Sequence, residues 1–173
     1  MAADGGNGQV GDEPPAPAIE EIPNDDTVSR LVDFPHKYNE DRELIWESVF
    51  AFTKSKGQYT GESVNWSKYC ATPDEIHALG CAWQRKKRER APTMEYVGYM
   101  VAGVADVRAV NNRRGHSFQV VHDPDGNQGQ HHAEIRYLRS TTAGVPFESG
   151  DREELKLALQ KEFGLLVPHK CDD

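Results

Sequence analysis

Histidine is the residue whose placement in this chain first suggests chemistry. Of seven histidines, His116, His122, His131 and His132 fall in one short stretch, HSFQVVH followed by DPDGNQGQ and HHAEIRYL. The two histidine-bearing runs have strand character and the segment between them, Asp123–Gln130, is rich in turn formers, so the spacing predicts a β-hairpin. Pairing His122 with His131 sets Val120 opposite Ala133, Phe118 opposite Ile135 and His116 opposite Tyr137, and gathers the apolar residues on one face. In that register the two imidazoles stand about 4.5–5.5 Å apart at Cβ. Two imidazoles so placed can chelate a divalent transition metal, with Asp123, Asp125 or His116 as a third ligand. Alternatively one histidine acts as general base while its neighbour, its pKa pushed the other way, acts as acid. The catalytic candidates are therefore His122, His131 and Asp123, and the metal candidates His122, His131 and His116. The simpler reading weighs more: a histidine at a strand end holds a turn by hydrogen bonds and does no chemistry, and no cofactor is expected.

A second feature is the basic run Arg85, Lys86, Lys87, Arg88 and Arg90, interrupted only by Glu89. Such a patch, with Trp83 or Tyr96 nearby to stack on a base, can neutralise phosphates. Cations also belong at a helix C-terminus on dipole grounds alone, which makes nucleic acid the less favoured partner. The run is read as a binding face for another protein, or for the acids Glu20, Glu21, Asp25 and Asp26 folding back from the N-terminal segment. Cys70, Cys81 and Cys171 are odd in number and lack CxxC spacing. No disulfide is expected from them, and a reducing, cytoplasmic setting is. Cys70 and Cys81 read as small buried hydrophobes, and His77, off the helix stripe, as a surface residue. No apolar run is long enough to span a bilayer and the first residues do not resemble an export signal, so no membrane partner is expected.

These groups need elements to hold them. The chain has 173 residues and a formal charge of -8, of which residues 1–26 carry -7 without a single Lys, Arg or aromatic residue. This Gly- and Pro-rich segment is expected to be a disordered acidic tail, with one domain over 27–173. Asn39, followed by Glu40 and Asp41, predicts a helix carrying Leu44, Ile45, Val49 and Phe52. Gly61–Trp66 is a short strand. Thr72, Pro73 and Glu75 spell a capping box for a helix with Ile76, Leu79, Gly80 and Trp83 on its buried side. Tyr96–Val101 reads as a strand, and Val101, Val104, Val107 and Val110 as a short helix after it. Asp151 with Glu154 opens a last helix bearing Leu155, Ala158, Leu159 and Phe163, closed by Gly164. Helices around a small, antiparallel sheet with a central hairpin make an α+β domain.

Three local likenesses bear on function. His132-Ala133-Glu134 resembles the HAE of zinc-dependent nucleoside and base deaminases, but the PCxxC that completes that site is missing and the tripeptide lies in a strand-patterned run. REELKLALQKEFGL resembles a Nudix box, with Leu157, Ala158 and Lys161 standing where its charged residues belong. The order SVNW (63–66), VADVR (104–108), FQVVHDP (118–124) and HHAEI (131–135) is similar to a group of uncharacterised small bacterial proteins. That resemblance implies a bacterial origin and no activity. The sequence thus points to a non-enzymatic bacterial accessory protein acting through protein–protein contacts. The alternative is a small metal- or His-dependent hydrolase centred on His122 and His131.

Overall fold

The computed structural model describes residues 18–41, 43–55, 58–124 and 129–172. From the N-terminus an extended segment enters β1 (Thr27–Phe34), followed by α1 (Trp46–Val49), β2 (Lys54–Ser55), β3 (Gln58–Tyr59) and β4 (Glu62–Trp66). Then come α2 (Pro73–Arg88), β5 (Glu95–Gly103), α3 (Val104–Ala109), β6 (Ser117–His122), β7 (His132–Leu138), α4 (Ser149–Glu162) and β8 (Val167–Pro168). Six strands form one antiparallel sheet in the order β6-β7-β4-β1-β5-β8, with β2 and β3 paired apart from it. The fold is α+β, with the histidine hairpin β6–β7 at one edge of the sheet and β4 and β1 at its middle.

One sheet face carries the main core. Val28, Val32, Val64, Trp66, Met100, Phe118, Val120 and Ile135 pack there against Val49, Phe50, Val104, Val107, Leu155, Leu159 and Phe163 from α1, α3, α4 and their ends. On the other face α2 covers only part of the sheet, through Ile76 against Cys70 and Tyr99, with Leu31, Leu79 and Val101 beside them. The Thr72–Glu75 capping box starts α2 as the sequence predicts, with Pro73 in its first turn. Gly80 lets the helix settle on β5, because a Cβ at that position would stand 2.4 Å from the Tyr96 ring.

Three expectations change. The helix predicted after Asn39 shrinks to the single turn Trp46–Val49; Asn39 instead accepts the Glu43 N–H on its side chain, and Tyr38 bridges Leu44. A side chain that satisfies a local backbone donor competes with helix formation in this way. Helix α4 begins three residues early: the Asp151 carboxylate accepts the N–H of Glu148 at 2.8 Å, so Asp151 caps from inside the first turn. The last residues of the expected tail also touch the domain. Residues 1–17 lie outside the described residues; of 18–26, Ile22 is buried and Glu20 and Asp26 are half-buried, while the others are exposed. Ile22 is buried in the main core, Arg108 donates to the Ile22 carbonyl, and Asp26 accepts the Trp66 indole N–H. One buried isoleucine with satisfied polar neighbours is enough to hold this acidic segment on the domain.

The centre of the sheet holds a buried charge. Arg30 of β1 donates to the carbonyls of Val49 and Ser63 and to Glu62 of β4, while the second Glu62 oxygen accepts the Phe52 N–H. Burial pulls the guanidinium below its ordinary pKa and the Glu62 carboxylate opposes that pull. Glu62→Gln is expected to cost about 3–5 kcal/mol in urea unfolding, because it removes the carboxylate bonded to the buried Arg30 and leaves only the more distant charge of Asp33 to offset it; a change within error would show that the pair is not a support of the sheet. Among the described residues, the Tyr137 hydroxyl is buried without a hydrogen-bond partner. Tyr137→Phe should therefore raise stability by about 1 kcal/mol in the same assay, and a loss would contradict this.

Candidate functional site

The hairpin forms, but two residues out of the predicted register. His122 faces Ala133, Val120 faces Ile135 and Phe118 faces Tyr137. A slip of two preserves which side chains share a face, so the apolar pattern does not distinguish the registers. The observed one stacks Phe118 on Tyr137, ring centroids 5.2 Å apart, and lets β7 pair with β4 through Asn65 and His132. His131 falls outside the hairpin ladder, before the start of β7, and the His122–His131 pair of the metal and acid–base readings is not made.

Each buried histidine is instead taken up by loop backbone. His122 accepts the Glu20 N–H on Nδ1 at 3.0 Å and stands 2.8 Å from the Gln130 carbonyl on Nε2. His116 accepts the Ser140 N–H on Nδ1 at 2.8 Å and reaches the Pro146 carbonyl on Nε2 at 3.1 Å. In both rings Nδ1 is the acceptor, so Nε2 carries the proton and donates to the carbonyl. Neither ring keeps a nitrogen lone pair for a metal. His132 meets the Asp123 carbonyl at 2.6 Å and Ser63 Oγ at 3.2 Å, and the Asp123 carboxylate accepts from Arg136 at 2.6 Å. His122, His116 and Asp123 hold loops; Asp125 lies outside the described residues.

The basic run divides. Lys86, Lys87 and Arg90 line a cleft of about 760 Å3, together with Leu79 and Trp83 of α2. Leu31, Ser63 and Asn65 contribute from the sheet, Lys37 from the loop after β1, and His131 and His132 from the start of β7. The cleft thus runs along the sheet half that α2 leaves uncovered. Lys37 and Lys87 stand over the Trp83 ring at 5.2 and 6.0 Å from its centroid, an arrangement that fixes the indole at the cleft wall. Arg88 turns away to donate to the Met94 carbonyl at 3.0 Å, and Arg85 is not among the lining residues. The fold-back of the N-terminal acids onto this run does not occur for the two that make side-chain contacts: Glu20 binds Lys68 and Tyr69, and Asp26 binds Trp66.

Cys81 and Cys171 form a disulfide, Cα–Cα 5.6 Å, linking α2 to the C-terminal segment across 90 residues. This overturns the expectation of unpaired thiols. The donor atoms of Cys81, His169 and Cys171 all lie within 4.8 Å of one another, so the group has the composition to bind a metal ion, with its two sulfurs bonded to each other. His77 is half-buried against this group, its ring stacked on His169 with centroids 4.0 Å apart and its Nδ1 3.0 Å from the Tyr96 hydroxyl. The signal in the sequence was the four-residue spacing of His77 and Cys81, which places both on one helix face. Nothing in the sequence placed His169 and Cys171 beside them.

Comparison of the chain with protein-family models, with curated proteins and with solved structures gives no match. No helix among the described residues is long and apolar enough to cross a membrane.

Burial, and then the neighbouring His132, push the pKa of His131 below its ordinary value. The folded chain therefore binds fewer protons at this group than the unfolded chain. Its contribution to stability is present above the ordinary histidine value of about 6.5 and is lost as pH falls through the lower folded value. His131→Gln should flatten the dependence of the urea midpoint on pH between about 7 and 5; an unchanged slope would remove His131 from that balance.

Proposed function

We propose that this chain is a non-enzymatic accessory protein that binds an acidic segment of another protein in the cleft between α2 and the open half of the sheet. One observation carries the reading: Lys86, Lys87 and Arg90 line the same cleft as Trp83 and Leu79. Apolar surface flanked by exposed cations suits a peptide that offers an aromatic or aliphatic anchor between carboxylates. The indole, already in contact with two ammonium groups, supplies a pre-ordered anchor and costs little side-chain entropy on binding. Of the histidines that the hydrolase reading invokes, His122 and His116 are engaged with loop backbone, and His131 is not paired with His122. A protein partner fits the cleft better than nucleic acid because Glu62 and Glu89 line it together with the cations.

Fluorescence polarisation tests it, with labelled peptides that carry one tryptophan among glutamates, their glutamine counterparts, and a single-stranded oligonucleotide. The glutamate peptides should bind the wild-type chain, and raising the salt from about 0.05 to 0.5 M should weaken them. Trp83→Ala should weaken binding by about 2 kcal/mol, roughly thirtyfold, and Lys86→Glu with Lys87→Glu should weaken it further. Equal binding of glutamate and glutamine peptides would sink the acidic-segment reading, and binding of the oligonucleotide alone would transfer the cleft to nucleic acid.

A further inference from the structure

We propose that Cys81, His169 and Cys171 form a thiol-gated zinc site: a disulfide when oxidised, and a Cys2His ligand set for Zn2+ once the sulfurs are reduced. Two glycines, one in α2 and one in β5, bring these residues together. Gly80 seats α2 against Tyr96, which places Cys81 in the third turn of the helix over β5. Gly98, at φ +148, sits beside an irregularity in the β1–β5 register, where Val97 has no partner on β1. A Cβ at Gly98 would stand 2.2 Å from the Val167 carbonyl, so only glycine lets β8 pair there. The His169 N–H then donates to the Val97 carbonyl at 2.8 Å, fixing the residue after β8.

The imidazole separates this group from a plain structural disulfide. A disulfide needs no third donor, yet the donor nitrogen of His169 lies within 4.8 Å of both sulfurs. The ring is also held: it stacks on His77, which hydrogen-bonds Tyr96. Ordered partners behind a ligating histidine are what a metal site requires of its surroundings. Tetrahedral zinc, with Zn–S about 2.3 Å and Zn–N about 2.0–2.1 Å, spaces its donors roughly 3.5–3.8 Å apart. The His169 nitrogen lies within 4.8 Å of both sulfurs, and the sulfurs, bonded to each other in the disulfide, reach that spacing by rotating apart once reduced. Cys81 and His169 are partly exposed, so reductant and metal can reach them.

The exchange balances with a dithiol reductant. Two electrons and two protons pass from the dithiol, which becomes a disulfide, to the Cys81–Cys171 bond and leave two thiols. Zinc binding then releases both thiol protons to solvent and takes the sulfurs as thiolates, and water fills the fourth position. His77 is a positioning residue for His169 and not a ligand.

The test uses the full chain, oxidised or reduced with a phosphine, passed anaerobically through a desalting column after incubation with ZnCl2 and measured by elemental mass spectrometry. About one zinc per reduced chain and none on the oxidised chain is expected. Cys171→Ser and His169→Asn, both beyond the last strand, should keep the far-ultraviolet circular dichroism and lose stoichiometric zinc. His77→Ala should weaken zinc about tenfold. Co2+ in place of zinc should give thiolate charge-transfer absorption in the reduced wild type, absent in Cys171→Ser. A reduced, folded chain without zinc, or zinc retained by Cys171→Ser, would overturn the proposal. Should reduction alone unfold the chain, refolding on zinc addition supports it and failure to refold overturns it.

Discussion

A positive charge buried in the middle of a sheet constrains everything around it. Arg30 of β1 is nearly buried at the base of the cleft, and its hydrogen bonds tie the end of α1 and strand β4 to β1. Val49 ends α1, Ser63 belongs to β4, and Glu62 couples the guanidinium to the Phe52 N–H in the next loop. The pair is not a source of net stability by itself, since desolvating two ions cancels most of their attraction. Its effect is one of selection: an arrangement of β1, β4 and the α1 loop that leaves a donor of Arg30 or an oxygen of Glu62 unpaired is penalised heavily. The loop after α1 lines the cleft, so the same pair sets one of its walls.

The histidines follow a related logic at the sheet edge. His116, just before β6, and His122, at its end, are both buried, and each joins an N–H and a carbonyl from neighbouring loops. An imidazole carries a donor and an acceptor on opposite sides of a flat ring, so one side chain can satisfy two distant backbone groups. The extended N-terminal segment is attached in this way, through Glu20, and Asp26 secures it again at Trp66. Residues that look like a metal site in sequence thus meet the backbone hydrogen-bonding demand of buried loops.

Legibility in the sequence tracks how local the determining physics is. Helix α2 is readable because its capping box, proline and apolar stripe lie within one segment, and β5, α3 and the hairpin are readable from their residue types. Strand β1 is not: it lies near the middle of the sheet and is covered on both faces, so Ser29, Arg30 and Asp33 are buried along with Val28 and Val32 and no alternation survives. Register was ambiguous because a shift of two residues preserves the pattern, and it is set by the aromatic pair Phe118–Tyr137 and by β4, neither visible in the hairpin alone. Residues 18–26 look like tail because four acids and a proline fall among them, and a single buried isoleucine, Ile22, anchors them. The cleft cations were legible as a basic run, but which of them share a wall depends on helix phase.

That phase ties the two candidate sites together. Residues on α2 advance by about 100° each, so Leu79, Trp83, Lys86 and Arg90 form one stripe, Ile76, Gly80 and Gln84 a second, and His77, Cys81 and Arg88 a third. The middle stripe is buried on the sheet, with Gln84 accepting the Tyr96 N–H at 2.6 Å. The first stripe borders the cleft and the third borders β5 and the C-terminal segment. Rotating the helix to widen the cleft would drive His77 and Cys81 toward or away from His169 and Cys171, and the close fit of Gly80 on Tyr96 resists such a rotation. The cleft and the cysteine–histidine group are therefore positioned by one rigid element. The link between Cys81 and Cys171, whether a direct bond or a shared metal ion, fixes the azimuth at which α2 presents Trp83 and its cations.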